Sequence, residues 1–247
     1  MVKPPAKTRA SRKPFFVILG VIAAIGIALI AMQARGSSPA PQIVADLPPG
    51  DPGKAAPYVY GRADAPVTIS EFADFECPAC AQFATLTEPD VRKRLADAGR
   101  VSIRFYDFPL DQHRNSVLAS LSAACAADQN KFWEMHDRIF AGQDSWASRP
   151  GESDASANRR ARKLFSEYAK ELGLDEVAWS ACVTEQRHLE RIRANRQLGI
   201  QRQVRSTPTF IIGNQMLPGA LSYDALKRLV DQNMAGRDTT TGGAAPK

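Results

Sequence analysis

Cysteine and histidine are scarce in this chain of 247 residues, which contains four cysteines and three histidines. Only Cys77 and Cys80 form a closely spaced pair, and no second pair of cysteines or histidines stands at ligand spacing. A structural zinc site needs two such pairs, so the sequence predicts no metal site. No cysteine directly follows the apolar N-terminal segment, which excludes a lipoprotein anchor.

Acidic residues are absent from the first 14 positions, which carry five basic residues. Once these five are subtracted from the net charge of +6, only +1 remains for residues 15–247. The basic character therefore belongs to a tail, residues 1–14, which we expect in the cytoplasm. A folded body with so little net charge does not predict a nucleic-acid partner.

Charge is also absent from the 18 residues between Phe15 and Met32. This run is just long enough to cross a bilayer, so we predict a transmembrane helix or uncleaved signal anchor over residues 15–33. Basic residues crowd its N-terminal side, which places the N-terminus in the cytoplasm and the body outside. A cleaved signal peptide, with a cleavage site at 38–40, is the alternative.

Two segments lack the large apolar residues that a core requires. Residues 34–57 are rich in Gly, Ser, Pro and Ala and predict a flexible linker. Residues 235–247 are small and polar and predict a disordered tail. The folded unit is therefore expected between them.

The first part of that unit has the pattern of a strand, a helix and a second strand. Val67, Ile69 and Glu71 share one face of the first strand, which puts a carboxylate on its buried side. The helix that follows contains Pro89, which should kink or split it. Alternating apolar residues predict the second strand at 101–105.

Helical patterns then occupy residues 111–189 without a convincing strand. An apolar run at 209–212, a turn, a short partner strand and a last helix follow. We predict an α/β domain formed by residues 58–110 and 190–234, with 111–189 as a helical insertion.

The sequence Cys77-Pro78-Ala79-Cys80 joins the first strand to its helix. Two thiols at this spacing close into a disulfide and reopen with little backbone movement, so the motif predicts a redox centre that needs no separate cofactor. Cys77 lies at the helix N-terminus, where the dipole favours a thiolate, and should be the attacking sulfur. Cys80 lies one turn further in and should resolve the mixed disulfide. Pro78 suits the first helical turn.

Four sequence segments together resemble the DsbA-like members of the thioredoxin superfamily. They are FADFECPAC at 72–80, FPL at 108–110 with His113 after it, CAADQNKFW at 125–133, and STPTF at 206–210. The resemblance covers about residues 58–234 and implies a thioredoxin fold with a helical insertion, preceded here by one transmembrane helix.

The resemblance also implies roles for three residues outside the CxxC. Pro208 is expected to be cis and to lie beside the cysteines, with the backbone of Thr207 pairing to a substrate strand. Glu71 matches the position of a buried acid that relays protons for the resolving cysteine. For Glu71, a carboxylate paired at the surface end of the strand is the alternative.

The remaining cysteines, Cys125 and Cys182, lie on apolar faces of predicted helices in the insertion. In an exported domain we predict a structural disulfide between them. Two buried free thiols that pack as small hydrophobes are the alternative.

These features predict a thiol:disulfide oxidoreductase that introduces disulfides into exported proteins through a mixed disulfide at Cys77. Its partners would be cysteine-containing exported proteins and a membrane redox protein that resets the CxxC. We expect it in the bacterial inner membrane as a single-pass protein, with the catalytic domain in the periplasm. The family's strongest oxidants carry histidine where this chain has Ala79. A periplasmic reductase or isomerase, and a non-redox chaperone or binding module, are therefore alternatives.

Overall fold

Residues 47–241 are described by a computed structural model, with side chains as far as residue 236. Five strands in this part of the chain form one mixed sheet in the order β1-β3-β2-β4-β5. They are β1 (Tyr58–Tyr60), β2 (Val67–Ala73), β3 (Val101–Asp107), β4 (Thr209–Ile212) and β5 (Gln215–Pro218). Strands β2 and β3 are parallel, and the other neighbours are antiparallel.

Nine α-helices accompany the sheet between residues 47 and 241. They are α1 (Pro78–Leu86), α2 (Glu88–Val91), α3 (Ser116–Ala127), α4 (Phe132–Ala141), α5 (Gln143–Trp146), α6 (Asp154–Glu171), α7 (Glu176–Thr184), α8 (Leu189–Gln201) and α9 (Tyr223–Thr241). A 3₁₀ turn (Pro52–Lys54) precedes β1, and a π-helical turn (Arg92–Ala96) extends α2. Helices α3 to α7 lie within the predicted insertion, and the α/β fold with a helical insertion is confirmed.

Strand β2 lies at the centre of the sheet because its side chains suit burial on both faces. Five of its seven residues are buried, and only Thr68 and Ser70 are partly exposed. The parallel neighbour β3 returns through α1 and α2, which is the crossover expected of a βαβ unit. The carboxyl end of β2 therefore leads directly into the CxxC.

The helix after the CxxC is split as the proline predicts. Helix α1 ends at Leu86, Thr87 has a distorted backbone with φ −113° and ψ −45°, and α2 begins one residue before Pro89. Proline suits this first turn because its missing N–H would have no helical partner there.

Two clusters of buried apolar side chains meet at α1. One lies on the sheet, under α2 and α9, and includes Phe83 of α1 together with Ile69 and Phe210. The other fills the helical insertion and includes Cys80 and Ala84 of α1. The CxxC thus lies where the sheet and the insertion pack together.

The predicted flexible linker over 34–57 is wrong for the part that the structure describes, residues 47–57. Leu47 is buried against α3 and α8, and the 3₁₀ turn packs on α8. A Cβ atom at Gly50 would lie 2.3 Å from the backbone carbon of Arg193, so the chain approaches α8 as closely as glycine allows. Composition alone does not register this contact because it depends on a distant helix.

The predicted disordered tail over 235–247 is wrong for residues 235–241, which continue α9. The predicted transmembrane helix over 15–33 lies outside the described residues. Among the described residues no helix is both long and apolar enough to cross a membrane.

Candidate active site

Cys77 occupies the N-cap position of α1, and Pro78 is the first residue of the helix. The extended backbone of Cys77, with φ −77° and ψ 123°, lets its carbonyl oxygen accept the amide of Ala81 at 3.1 Å. Cys77 is 7% exposed and Cys80 is fully buried. Both thiols are free, and only the sulfur of Cys77 is placed to meet another protein.

The pKa values of the two thiols are shifted in opposite directions. The pKa of Cys77 is lowered to about 5, mainly by a hydrogen bond from the Cys80 thiol and against the effect of burial, with further help from Thr207 and the amides of Ala79 and Cys80. Burial, and then the neighbouring charge of Cys77, raise the pKa of Cys80 well above its usual value. At neutral pH the reduced site therefore holds one thiolate, on Cys77, and one thiol, on Cys80.

The Thr207–Pro208 peptide bond is cis, as the resemblance implied. Sγ of Cys77 lies 3.3 Å from the carbonyl oxygen of Thr207, which brings residues 130 positions apart into contact. On the other side of this loop, the amide of Gly219 donates to the carbonyl oxygen of Pro208 at 2.7 Å. Thr207 and Pro208 therefore lie beside the CxxC as predicted.

Glu71 is 1% exposed and lies at the centre of the sheet, opposite Phe105 of β3 and Phe210 of β4. Burial raises the pKa of Glu71 well above its usual value, the charge of Glu88 adds to this, and Arg92 opposes it. The charge of Glu71 in turn contributes to the raised pKa of Cys80. The predicted inward orientation is correct, and the surface alternative is wrong. The relay role stays a prediction.

The sequence patterns assign no role to Asp74, a carboxylate in the loop before the CxxC. Asp74 is fully buried and accepts from Ser116 Oγ at 2.6 Å, the amide of Glu76 at 2.7 Å and the amide of Leu110 at 2.8 Å. Its Oδ2 atom also lies 2.8 Å from Nδ1 of His113. Both Asp74 and His113 lie in segments that carry the resemblance, which is the only sequence signal for the pair.

Two further polar side chains, Glu76 in the loop and Gln143 in the insertion, join the same loop to the insertion. Glu76, which is buried, accepts the backbone amide of Asn115 at 2.6 Å. From α5, Gln143 Nε2 donates to the carbonyl oxygens of Phe75 at 2.7 Å and Cys77 at 3.0 Å. These bonds fix the backbone of Cys77 from the insertion side, and sequence patterns did not predict them.

The predicted bond between Cys125 and Cys182 is confirmed. Their Cα atoms are 5.8 Å apart, and the disulfide joins α3 to α7 inside the insertion. It therefore stabilises the part of the fold that holds the CxxC loop.

A protein-family model described as thioredoxin matches residues 54–232. The fold is similar to that of alpha-DsbA1 from Wolbachia pipientis, with a TM-score of 0.64 and 19% identity over 74% of this chain and 93% of that chain. The chain belongs to the thioredoxin family.

Two relatives of this thioredoxin-family chain differ in length. Disulfide bond formation protein D of Bacillus subtilis is 28% identical over 198 residues, which cover 78% of this chain and 83% of the relative. The Na(+)/H(+) antiporter NhaA 3 of Salinispora tropica is 33% identical over 219 residues, or 87% of this chain. The chain spans only 30% of the length of that antiporter.

Proposed function

We propose that this chain is a thiol:disulfide oxidoreductase that introduces disulfides into exported proteins through a mixed disulfide at Cys77. The observation that carries the proposal is the position of Cys77, at the start of α1 and 3.3 Å from the carbonyl oxygen of Thr207, with a pKa of about 5. The name of the Bacillus subtilis relative, a disulfide bond formation protein, supports the same reaction.

The reaction begins with the oxidised site, in which Cys77 and Cys80 are joined. A substrate thiolate attacks Sγ of Cys77, because Cys80 is fully buried, and the Cys77–Cys80 bond breaks. Cys80 leaves with the electron pair and takes up a proton, as its raised pKa requires. Cys77 is now bonded to the substrate.

A second substrate thiolate then attacks the substrate sulfur of the mixed disulfide. Cys77 leaves as a thiolate, and its low pKa makes it a good leaving group. The substrate has lost two electrons and two protons and gained a disulfide. The enzyme has gained the electrons and one proton, on Cys80, and the other proton is released.

The low pKa of Cys77 also supports oxidation of the substrate as the direction of the reaction. A stabilised Cys77 thiolate favours the reduced enzyme and so makes its disulfide a stronger oxidant. Ala79 provides no imidazole between the cysteines, but the Cys80 thiol and the amides of Ala79 and Cys80 stabilise the thiolate in its place.

The proposed location is the outer side of a bacterial inner membrane, with the catalytic domain tethered by residues 15–33. The uncharged run in that segment supports an anchor, and the Cys125–Cys182 disulfide suits an oxidising compartment. The proposed partners are exported proteins with pairs of cysteines and a membrane redox protein that reoxidises Cys77 and Cys80. No separate cofactor and no metal are proposed.

Oxidative refolding tests this function directly. The oxidised full-length chain is mixed with a reduced, unfolded protein that contains several cysteines, and disulfides are counted by mass spectrometry. We expect rapid disulfide formation with the wild-type chain and none with Cys77→Ser. A chaperone would assist refolding equally in both, and that result would contradict the proposal.

A further inference from the structure

Cys80 exchanges a proton in every turnover of the proposed reaction, yet it has no contact with solvent. Cys80 is fully buried, and Glu71, the carboxylate whose charge raises the pKa of Cys80, is only 1% exposed. A proton that reaches Glu71 must therefore travel further through the protein. Any route for this proton beyond Glu71 rests on the proposed function, in which Cys80 gains and loses a proton.

Glu71, Glu88 and His136 are buried polar groups that interact in sequence: the charge of Glu88 raises the pKa of Glu71, and the ring of His136 lies beside Glu88. Glu71 Oε2, Glu88 Oε2 and His136 Nε2 have no hydrogen-bond partner within the described part of the chain. Buried polar groups without a partner are rare in folded proteins, and three neighbours in one region call for a reason. Groups that pass a proton need such a free lone pair.

His136 and Asp137, both on α4, connect Glu88 to the surface. His136 is fully buried, and its Nε2 atom lies 3.8 Å from Glu88 Oε2, about 1 Å more than a normal hydrogen bond. On the other edge of the ring, Nδ1 lies 2.8 Å from Oδ1 of Asp137. The Asp137 side chain is 54% exposed. When Nδ1 donates its proton to Asp137, Nε2 presents a lone pair toward Glu88.

We propose that Glu88 and His136 extend the proton path from Glu71 to Asp137 at the surface. During substrate oxidation the proton moves inward, so that Glu71 protonates the departing Cys80 sulfur and is itself reprotonated along the path. During reoxidation the direction reverses, and Glu71 accepts the proton that Cys80 loses before it attacks. The path moves protons only, and the electron pair stays on sulfur.

The groups around this path are one guanidinium and several aromatic rings. Arg92 donates to Glu88 at 3.1 Å and to Asp137 at 3.0 Å, and its Nη2 atom lies 3.2 Å from Nδ1 of His136. From β1, the ring of Tyr60 faces the Arg92 guanidinium at 5.0 Å. The other neighbours of the His136 ring are aromatic: Phe75, Phe105, Phe132, Trp133 and Phe140.

Two other roles for this cluster fit the structure less well. The ligand atoms of Glu88, His136 and Asp137 lie within 4.8 Å of one another, as a metal site would require. However, both carboxylates already bind the guanidinium of Arg92, which holds the place of a cation. A purely structural ion pair between α2 and α4 would explain Arg92, but not the unpartnered Oε2 of Glu88 and Nε2 of His136.

The test follows the second step of the reaction of the reduced full-length chain with oxidised glutathione. Acid quenching and mass spectrometry count the Cys77–glutathione mixed disulfide and then the Cys77–Cys80 disulfide. Formation of the mixed disulfide depends on Cys77, and its conversion depends on Cys80 losing a proton. The conversion rate is measured against pH, in H₂O and D₂O.

We expect Glu88→Gln to slow conversion about tenfold at neutral pH, less than the ~100-fold expected for a group in direct proton transfer. The rate should recover as pH rises, while formation of the mixed disulfide stays unchanged. Asp137→Asn should slow conversion in the same direction. This second variant matters because Asp137 is half-exposed and does not contribute to the electrostatics of Glu71.

Glu171→Gln is the matched control, since it removes a carboxylate paired with Arg138 of α4 on the outer surface. It should leave both steps unchanged. Conversion at the wild-type rate in Glu88→Gln, or an effect of Glu88→Gln without one of Asp137→Asn, would overturn the path. If the wild-type chain itself forms no Cys77–Cys80 disulfide, the proposed function fails instead.

Discussion

The Oδ2 atom of Asp74 lies 2.8 Å from Nδ1 of His113 and joins the loop before the CxxC to the loop after β3. Burial alone would lower the pKa of His113, but the bond to Asp74 outweighs it, and the charges of Glu76 and Cys77 raise the pKa further. The raised pKa favours the charged imidazole, and its charge interacts with that of Cys77. This chain has Ala79 between its cysteines, and its imidazole comes from His113 in the loop after β3.

The first prediction concerns that imidazole. His113→Gln should raise the pKa of Cys77 and make the CxxC less oxidising, because a positive charge near the thiolate is lost. The pKa is measured from the ultraviolet absorbance of the thiolate against pH. His188→Gln is the control, since His188 contacts Asp128 and lies in another part of the insertion. Equal pKa values for Cys77 in wild type and His113→Gln would contradict the prediction.

The second prediction concerns stability of the reduced protein. The pKa of Cys77 falls from an ordinary 9.0 to about 5 on folding, so the thiolate stabilises the folded state above the unfolded pKa. This stabilisation is lost as pH falls from 9 toward 5. The difference in unfolding free energy between wild type and Cys77→Ser, both reduced, should therefore increase with pH across this window. Urea denaturation at several pH values measures it, and a constant difference would refute the assignment.

The third prediction concerns the disulfide in the insertion. Replacing both Cys125 and Cys182 by alanine should lower the free energy of unfolding by about 4 kcal/mol, since the bond closes a loop across 57 positions. Chemical denaturation measures the loss. Under conditions where the variant is folded, Cys77 should still react with oxidised glutathione. Loss of that reaction in the folded variant would mean that the second disulfide takes part in redox chemistry.

The fourth prediction concerns the resolving cysteine. In Cys80→Ala the Cys77 thiolate can attack a disulfide of an oxidised substrate, which releases one substrate sulfur and leaves the other bonded to Cys77. These adducts should accumulate, because no second enzyme thiol is left to release them. The adducts are detected as bands that disappear on reduction, and Cys77→Ala provides the matched control without adducts. If Cys80→Ala also traps nothing, Cys77 is not the sulfur that forms mixed disulfides with substrates.

Much of the site was predictable because its chemistry follows from local positions. Cys77 and Cys80 owe their roles to one helix N-terminus, and the inward face of Glu71 follows from the two-residue period of β2. Thr207 and Pro208 could be placed beside the CxxC only through the resemblance, since no local pattern joins residues 130 positions apart.

The parts that could not be predicted depend on long-range contacts between polar residues. Asp74 lies in a loop where a carboxylate is ordinarily solvated, and its burial depends on Ser116 and Leu110 from other segments. The same holds for Gln143, which reaches Cys77 from α5. Gly50 belongs to a Pro- and Gly-rich segment that is ordered because it packs against α8. Periodicity reports apolar faces and carries no information about such partners.

The reduction potential of the Cys77–Cys80 pair tests the central claim most directly. The full-length chain is equilibrated in glutathione buffers of graded ratio, and the oxidised fraction is measured after acid quenching. The low pKa of Cys77 predicts an oxidising pair, with a potential more positive than about −180 mV. A potential near that of thioredoxin, about −270 mV, would contradict a role in disulfide formation and favour a reductase.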